Sequence, residues 1–261
     1  METLAIAVFK GIYKLFKFTI LTILYMLNYD TITISEATAL QNELRHKVIL
    51  QTYNKNITTI AGGDISHNKD SQIVYAGIVV LSYPQMVVQS YSLVVAETNF
   101  PYVPQYLGFR EVPALMQAWE QLPQKPDILV LDGQGITHPR RMGIASHFGV
   151  LSGAPAIGCA KNMLFGKYNP LALDKFSNSA IYDGKEIIGY ALRTKTGVKP
   201  VYISPGNKVT VEDSLEIMKN CTLRHRIPEP TRMAHEKVNL FRVGKLQAGY
   251  HKADIQTDLF S

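Results

Sequence analysis

A chain of 261 residues that is 46% hydrophobic and 18% charged can bury one large core or two small ones, which excludes disorder over most of its length. Its 27 Lys and Arg against 21 Asp and Glu give a formal charge of +6, which suits a polyanionic partner without specifying one. The only cysteines, Cys159 and Cys221, are too few for a disulfide framework or a four-thiolate zinc site; they read as small buried residues, and a reducing cytoplasm is the expected compartment.

Residues 1–29 differ from the rest, being strongly apolar and broken by Lys10, Lys14 and Lys17. The longest apolar run, Phe18 to Leu27, is shorter than the roughly 20 residues a membrane span needs. Three readings stay open for this extension: a membrane-surface helix, a signal-like segment without a small-residue cleavage site, or upstream sequence ahead of a start at Met26. A domain is expected over 30–240, and a C-terminal tail over 241–261.

Within that domain, Ser35 as N-cap followed by Ala37, Leu40, Leu44 and Val48 predicts an amphipathic helix. Three β-rich runs follow, Ile57 to Ser66, Ile73 to Ser82 and Met86 to Ala96, joined by short links that imply an antiparallel meander. The pattern then alternates: a helix over Glu111 to Gln121, a strand over Ile128 to Leu131, a helix near Arg141 to Leu151 and a short strand over Ala156 to Cys159. Such alternation argues for a parallel portion of the same sheet. A hairpin within Ile187 to Ser204 and helices over Val211 to Lys219 and Thr231 to Leu240 complete the reading. This is an α/β chain, and its element order is that of a ribonuclease H-like fold with a mixed central sheet flanked by helices, an analogy until a site supports it.

Asp64 in AGGDIS and Asp132 in ILVLDGQG both stand at the ends of predicted strands, where open α/β sheets place their ligands. Two ionised carboxylates there repel each other and resist burial unless a cation compensates them. A hard dication such as Mg²⁺ or Mn²⁺ removes both difficulties and suits phosphate chemistry, provided the two carboxyls lie within roughly 8 Å. Taken singly, each Asp could instead cap a loop or helix. Flanking Gly62, Gly63, Gly133 and Gly135 permit close approach of a ligand or a neighbouring backbone. Glu111 adds a third carboxylate at a predicted helix start, while His138, Arg140 and Arg141 place positive charge near the next helix, where an anion would relieve the conflict with its dipole. Tyr102, between Pro101 and Pro104, reads either as a rigid aromatic for insertion among bases or as a ring packing on its own loop. His235, on the last helix, reads either as a proton-transfer group or as an ordinary helical histidine.

AGGDIS, FPYVPQYLGFREVPAL, KPDILVLDGQGITHPRRMGIASHFGV, PAIGCAK and IPEPTRMAH resemble, in order and spacing, segments of the endonuclease V family, from about Ile34 to about Leu240. The resemblance implies a Mg²⁺-dependent monomeric endonuclease, with Mn²⁺ able to substitute, that recognises deoxyinosine in DNA. Such an enzyme nicks the second phosphodiester 3′ to the lesion, leaves a 5′-phosphate and serves DNA repair. Carried onto matching positions, it implies that Asp64, Asp132 and Glu111 hold metal, with His235 and Lys161 completing the catalytic centre. It further implies a strand-separating wedge at Tyr102, a base pocket at Leu107, Gly133 and Gly158, and backbone contacts from His138 and Arg140. Two positions depart from the family pattern: Gln105 replaces the usual glycine after the wedge, which points to a stiffer loop or altered pocket edge, and Asn207 replaces a common histidine.

The closing DIQTDLFS resembles the peptide by which bacterial repair proteins bind the replication sliding clamp, through Gln256, Asp258, Leu259 and Phe260. A frayed tail is the alternative. For the whole chain, a ribonuclease acting on inosine-containing RNA and a catalytically dead nucleic-acid binder are the competing readings.

Overall fold

The computed structural model describes residues 29–69 and 71–253. The apolar extension of residues 1–28 and the clamp-like Gln256, Asp258, Leu259 and Phe260 therefore lie outside the described residues.

Helix α1 (Ile34–Leu44) starts two residues earlier than expected. Thr33, not Ser35, is its N-cap, because Glu36 closes a reciprocal capping box with Thr33. The meander follows as β1 (Thr59–His67), β2 (Ile73–Ser82) and β3 (Val88–Glu97), paired antiparallel. Next come α2 (Leu107–Glu120), β4 (Ile128–Leu131), α3 (Ile144–Ser152) and β5 (Ala156–Ala160), with β4 parallel to both β1 and β5. Beyond them, β6 (Asn178–Asp183), β7 (Glu186–Leu192) and β8 (Val201–Asn207) extend one edge, ahead of helices α4 (Val211–Asn220) and α5 (Glu229–Arg242). The last strand, β9 (Gly249–Lys252), pairs with β3 and brings the sheet order to β6-β7-β8-β5-β4-β1-β2-β3-β9. Part of the segment read as a tail thus belongs to the sheet.

The four residues of β4 show how one strand seeds both cores. Leu129 and Leu131 pack on one face with Ala37 of α1, Phe109 of α2 and Phe148 of α3, whereas Ile128 and Val130 pack on the other with Leu215 of α4 and Ala234 of α5. A strand buried on both faces must be apolar at every position, and each such side chain stabilises the fold by about 1.5–3 kcal/mol relative to exposure. This is why the sequence predicts the limits of β4 without error, as it also does those of β2.

His147 on α3 lies fully buried, with Tyr29 Oη 2.7 Å from its Nε2 and its Nδ1 unpartnered. Gly108 leaves it room, since a Cβ there would stand 2.2 Å from Nδ1. Burial pushes the His147 pKa from 6.5 down to about 3. The unfolded chain therefore binds a proton between these values that the folded chain refuses, and stability falls as pH drops below 6.5. We expect His147→Gln to flatten that acid limb by roughly 1.4 kcal/mol per pH unit; urea titrations at several pH values check it, and parallel limbs would refute it.

Candidate active site

Register brings the site together. Strands β1, β4 and β5 run parallel side by side, with Gly63 opposite Leu131 and Leu131 opposite Gly158. Neighbouring strands lie about 4.8 Å apart, so Asp64, one residue beyond Gly63, and Asp132, one residue beyond Leu131, emerge together, and Asp132 N donates to Gly63 O (3.3 Å). Lys161 follows Ala160 at the same end of β5, and its Nζ donates to Asp132 Oδ2.

His235 arrives from α5. The start of that helix lies against β1 because Gly62 has no side chain: a Cβ there would stand 1.8 Å from Pro230 O. From this contact His235 reaches Asp64, its Nδ1–H donating to Asp64 Oδ2 at 2.8 Å. Asn239, one turn further on, lies with its Nδ2 3.1 Å from His235 Nε2 and accepts from Ser66 Oγ at 3.1 Å. Nothing in the sequence singled out this helper, because an Asn on an amphipathic helix reads as surface.

Ligand atoms of Asp64, Asp132 and His235 all lie within 4.8 Å of one another, well inside the 8 Å expected of carboxyls that share a metal. Among the described residues this is the one group of its kind, and Glu111 is not in it. His235 thus meets the two aspartates through its bond to Asp64, and Glu111, expected as a metal carboxylate, stands outside that group. Helix α2 begins four residues before Glu111, so that carboxylate sits in the second turn and not at the start. Its charge is nevertheless felt: burial, then the negative Asp64 and Asp132, push the Glu111 pKa up to about 8 despite Arg110. Burial and Asp64 likewise raise Asp132 above the usual carboxylate range, against the pull of Lys161. Hydrogen bonding to Asp64 raises His235, and Asp132 raises Lys161 although burial opposes its charge. Two buried carboxyls driven toward protonation beside a third, Asp64, with only one lysine among them, form a donor set that fits a hard dication.

Beside this centre opens a cavity of about 370 Å³, lined by Asp132, Lys161, Leu107, Gly133 and Tyr102 among others. Tyr102 is among the lining residues and is 62% exposed. Gly158 does not line the cavity. A Cβ on it would stand 2.4 Å from Gly135 N and 2.6 Å from Gly133 O, so it lies beneath the floor and lets that loop rest on β5. Gln134, unremarked in the sequence, ties floor to rim: its Nε2 donates to Asn162 O (2.8 Å) while its Oε1 accepts from Thr137, which itself pairs with Ser204. The apolar rim residues Met163 and Leu164 were likewise unread.

The expected basic rim needs correction. His138 is 1% exposed, and burial pushes its pKa down to about 4, so it is a neutral ring beneath the wall and not a cation. Its Nδ1 accepts from Arg140 N, which requires Nε2–H to donate to Gln105 O (2.9 Å). Gln41 Nε2 also donates to Gln105 O at 2.9 Å. Gln105 itself adopts φ 73°, the left-handed conformation a glycine takes freely, and these donors hold it there. Arg140 is half-buried on Gln41 and 4.5 Å over the Tyr106 ring, and Arg141 pairs with Asp183 and Glu186. Both precede α3, which begins at Ile144. Arg110 points away from Glu111 to donate to Phe100 O and Ser71 O. Asn207 is an interior staple, accepting from Ile49 N and donating to Gly149 O and Ala154 O.

A ribonuclease H-like sheet that gathers carboxylates at the ends of its central parallel strands, beside an open cavity, defines a nuclease acting on phosphodiester bonds. The comparisons specify which. The Endonuclease V family model matches residues 42–236, and the chain belongs to that family. It is 46% identical over 204 residues to Endonuclease V of Trichormus variabilis, covering 78% of this chain and 92% of the relative. It is also similar to the crystal structure of Endonuclease V from Streptomyces avermitilis (TM-score 0.76, 38% identity, 80% of this chain and 93% of that one). A third similar structure is Ciona intestinalis Endonuclease V in complex with a 24mer DNA containing an inosine followed by a ribo-adenosine (TM-score 0.70, 29% identity, 79% and 96% covered).

Proposed function

We propose that this chain is a Mg²⁺-dependent endonuclease, able to use Mn²⁺, that recognises deoxyinosine in DNA and nicks the second phosphodiester on its 3′ side in the course of DNA repair. The observation that carries this reading is the meeting of Asp64, Asp132 and His235 at the edge of a cavity that Asp132 itself lines. The inosine-bearing DNA in the Ciona complex supports it.

When bound, a hard dication would add positive charge at the phosphoryl group and acidify water. Asp64 and Asp132 would hold it, with Glu111 beside them. His235, oriented by Asp64 on one ring nitrogen and Asn239 near the other, would position the attacking water. Lys161 Nζ would offset negative charge growing at phosphorus. The extruded base would enter the cavity behind Tyr102, where main chain around Gly133 faces it. Hypoxanthine carries an oxygen where adenine has an amino group and lacks the 2-amino group of guanine, so a tight pocket offering a donor to that oxygen and no room for an extra amine would discriminate against both.

Matched oligonucleotides test this. A strand containing one deoxyinosine should be nicked in Mg²⁺ to give a 5′-phosphate, the same strand with adenine should survive, and chelation should stop the reaction. Equal nicking of both strands would sink the assignment. The ribo-adenosine of the DNA in the Ciona complex favours a second reading, cleavage of inosine-containing RNA. Faster cutting of the RNA counterpart would replace the first reading by the second. The sliding clamp is a further proposed partner, tested by pull-down with and without residues 256–261; equal recovery would remove it.

A further inference from the structure

Three segments that follow no regular secondary structure, residues 171–176, 193–200 and 222–228, are zipped together next to the active site. They carry six Lys and Arg and one acid, Asp174. Two of the arginines act within the protein. Arg193 donates to Ala172 O (2.6 Å) and Val198 O, and Arg226 donates to Lys199 O (2.9 Å), Pro200 O (2.9 Å) and Lys161 O (3.0 Å). The last bond joins this patch directly to the residue that pairs with Asp132.

The other four, Lys175, Lys195, Lys199 and Arg224, are exposed and enter no ion pair among the described residues. Apolar groups lie interleaved with them: Leu173 is 67% exposed, Leu223 49% and Phe176 38%. Phe176 adopts φ 69°, costly for a bulky residue, with its N–H bonded to Arg193 O (2.7 Å) and Lys175 Nζ 4.7 Å over its ring. Lys175 is fixed in turn by donating to Leu223 O (2.9 Å). Cations without acidic partners, set among exposed aromatic and aliphatic side chains, are what a splayed nucleic-acid strand requires: charge for its phosphates and flat apolar surface for its bases.

We propose that this surface, Lys175, Phe176, Lys195, Lys199, Leu223 and Arg224, is a second nucleic-acid binding site that carries the strand leaving the active centre past Lys161. It rests on the nuclease reading of that centre, and it extends the contact region well beyond the cavity and Tyr102. The affinity it adds is independent of sequence, since it reads backbone charge and base faces only.

The test is the triple variant Lys195→Gln, Lys199→Gln, Arg224→Gln in the full chain. On an inosine substrate with long arms, KM should rise about tenfold at moderate salt with kcat unchanged, and the dependence of log(kcat/KM) on log salt should become shallower by roughly 2. On a substrate trimmed close to the lesion, variant and wild type should coincide. Exchanging Lys195 and Lys199 for Arg and Arg224 for Lys should restore wild-type behaviour. An unchanged salt slope would overturn the proposal, as would an equal loss of kcat on long and short substrates, which would mean that the patch acts only by supporting Lys161. Loss of binding to vesicles of anionic phospholipid with nucleic-acid binding intact would reassign the surface to a membrane and overturn it too. Binding of an inosine-free single strand makes the same comparison without catalysis, so a wild type that fails to nick inosine would count against the assigned function and leave this surface separately tested.

Discussion

Asp132→Asn is expected to lower kcat/KM on an inosine substrate by at least about 10³-fold while leaving the fold as stable as before or firmer. The two effects have opposite signs for one reason. Asp132 is raised above the usual carboxylate range by burial and by Asp64, so its charged form is disfavoured by the folded protein. It also helps push Glu111 up to about 8. Replacing it with a neutral isostere relieves that repulsion but removes one of the two carboxylates able to hold a dication and leaves Lys161 without its partner. Thermal melts in chelator should therefore show no drop in Tm, whereas metal should stabilise wild type more than the variant. Activity within tenfold of wild type would mean that the converged carboxylates are not the chemical centre.

Gly62→Ala should give the second large effect, and here stability and activity fall together. The added Cβ would stand 1.8 Å from Pro230 O, a backbone atom that cannot swing aside as a side chain can. Helix α5 must shift away from β1, at a cost of roughly 1–3 kcal/mol or more. His235 travels on that helix, and its 2.8 Å bond to Asp64 lengthens with it. Misplacement of a catalytic group by about 1 Å can cost about 10²-fold in rate. Urea unfolding and single-turnover nicking measure both losses. A stable variant with normal kcat would show that α5 has slack the geometry denies.

Much of this was legible in the sequence, and what was missed has identifiable causes. Strands β1 to β5 were readable because their apolar runs are long or unbroken. Edge strand β9, with sequence GYHK, and β6, with sequence NSAIYD, were not, because a strand at or near the rim keeps polar side chains and loses the contrast on which periodicity depends. The start of α2 was hidden by Pro104 and Gly108, which look like loop signals; Gly108 is in the helix because His147 occupies the space where a side chain would go. Within the site, strand ends singled out Asp64 and Asp132, which the structure brings together, whereas Lys161 was reached only through the family resemblance. Residue type alone could not tell that His138 and Arg110 point inward, and a charge is cationic toward a ligand only if it faces one. Asn239 and Gln134 were missed for the complementary reason, since each acts by reaching an atom far away in the chain.

The resting of the Gly133 to Gly135 loop on Gly158 has an evolutionary implication. The loop is seated from beneath, with Gly135 N donating to Ser204 Oγ (2.9 Å), so changes around the cavity mouth need not disturb it. Only the glycines themselves are sensitive, and a change there blocks the loop without offering a new shape. Changes in the shape of the cavity should therefore be sought in the rim, at Met163, Leu164 and the ring of Tyr102, where single substitutions can accumulate without dismantling the platform beneath.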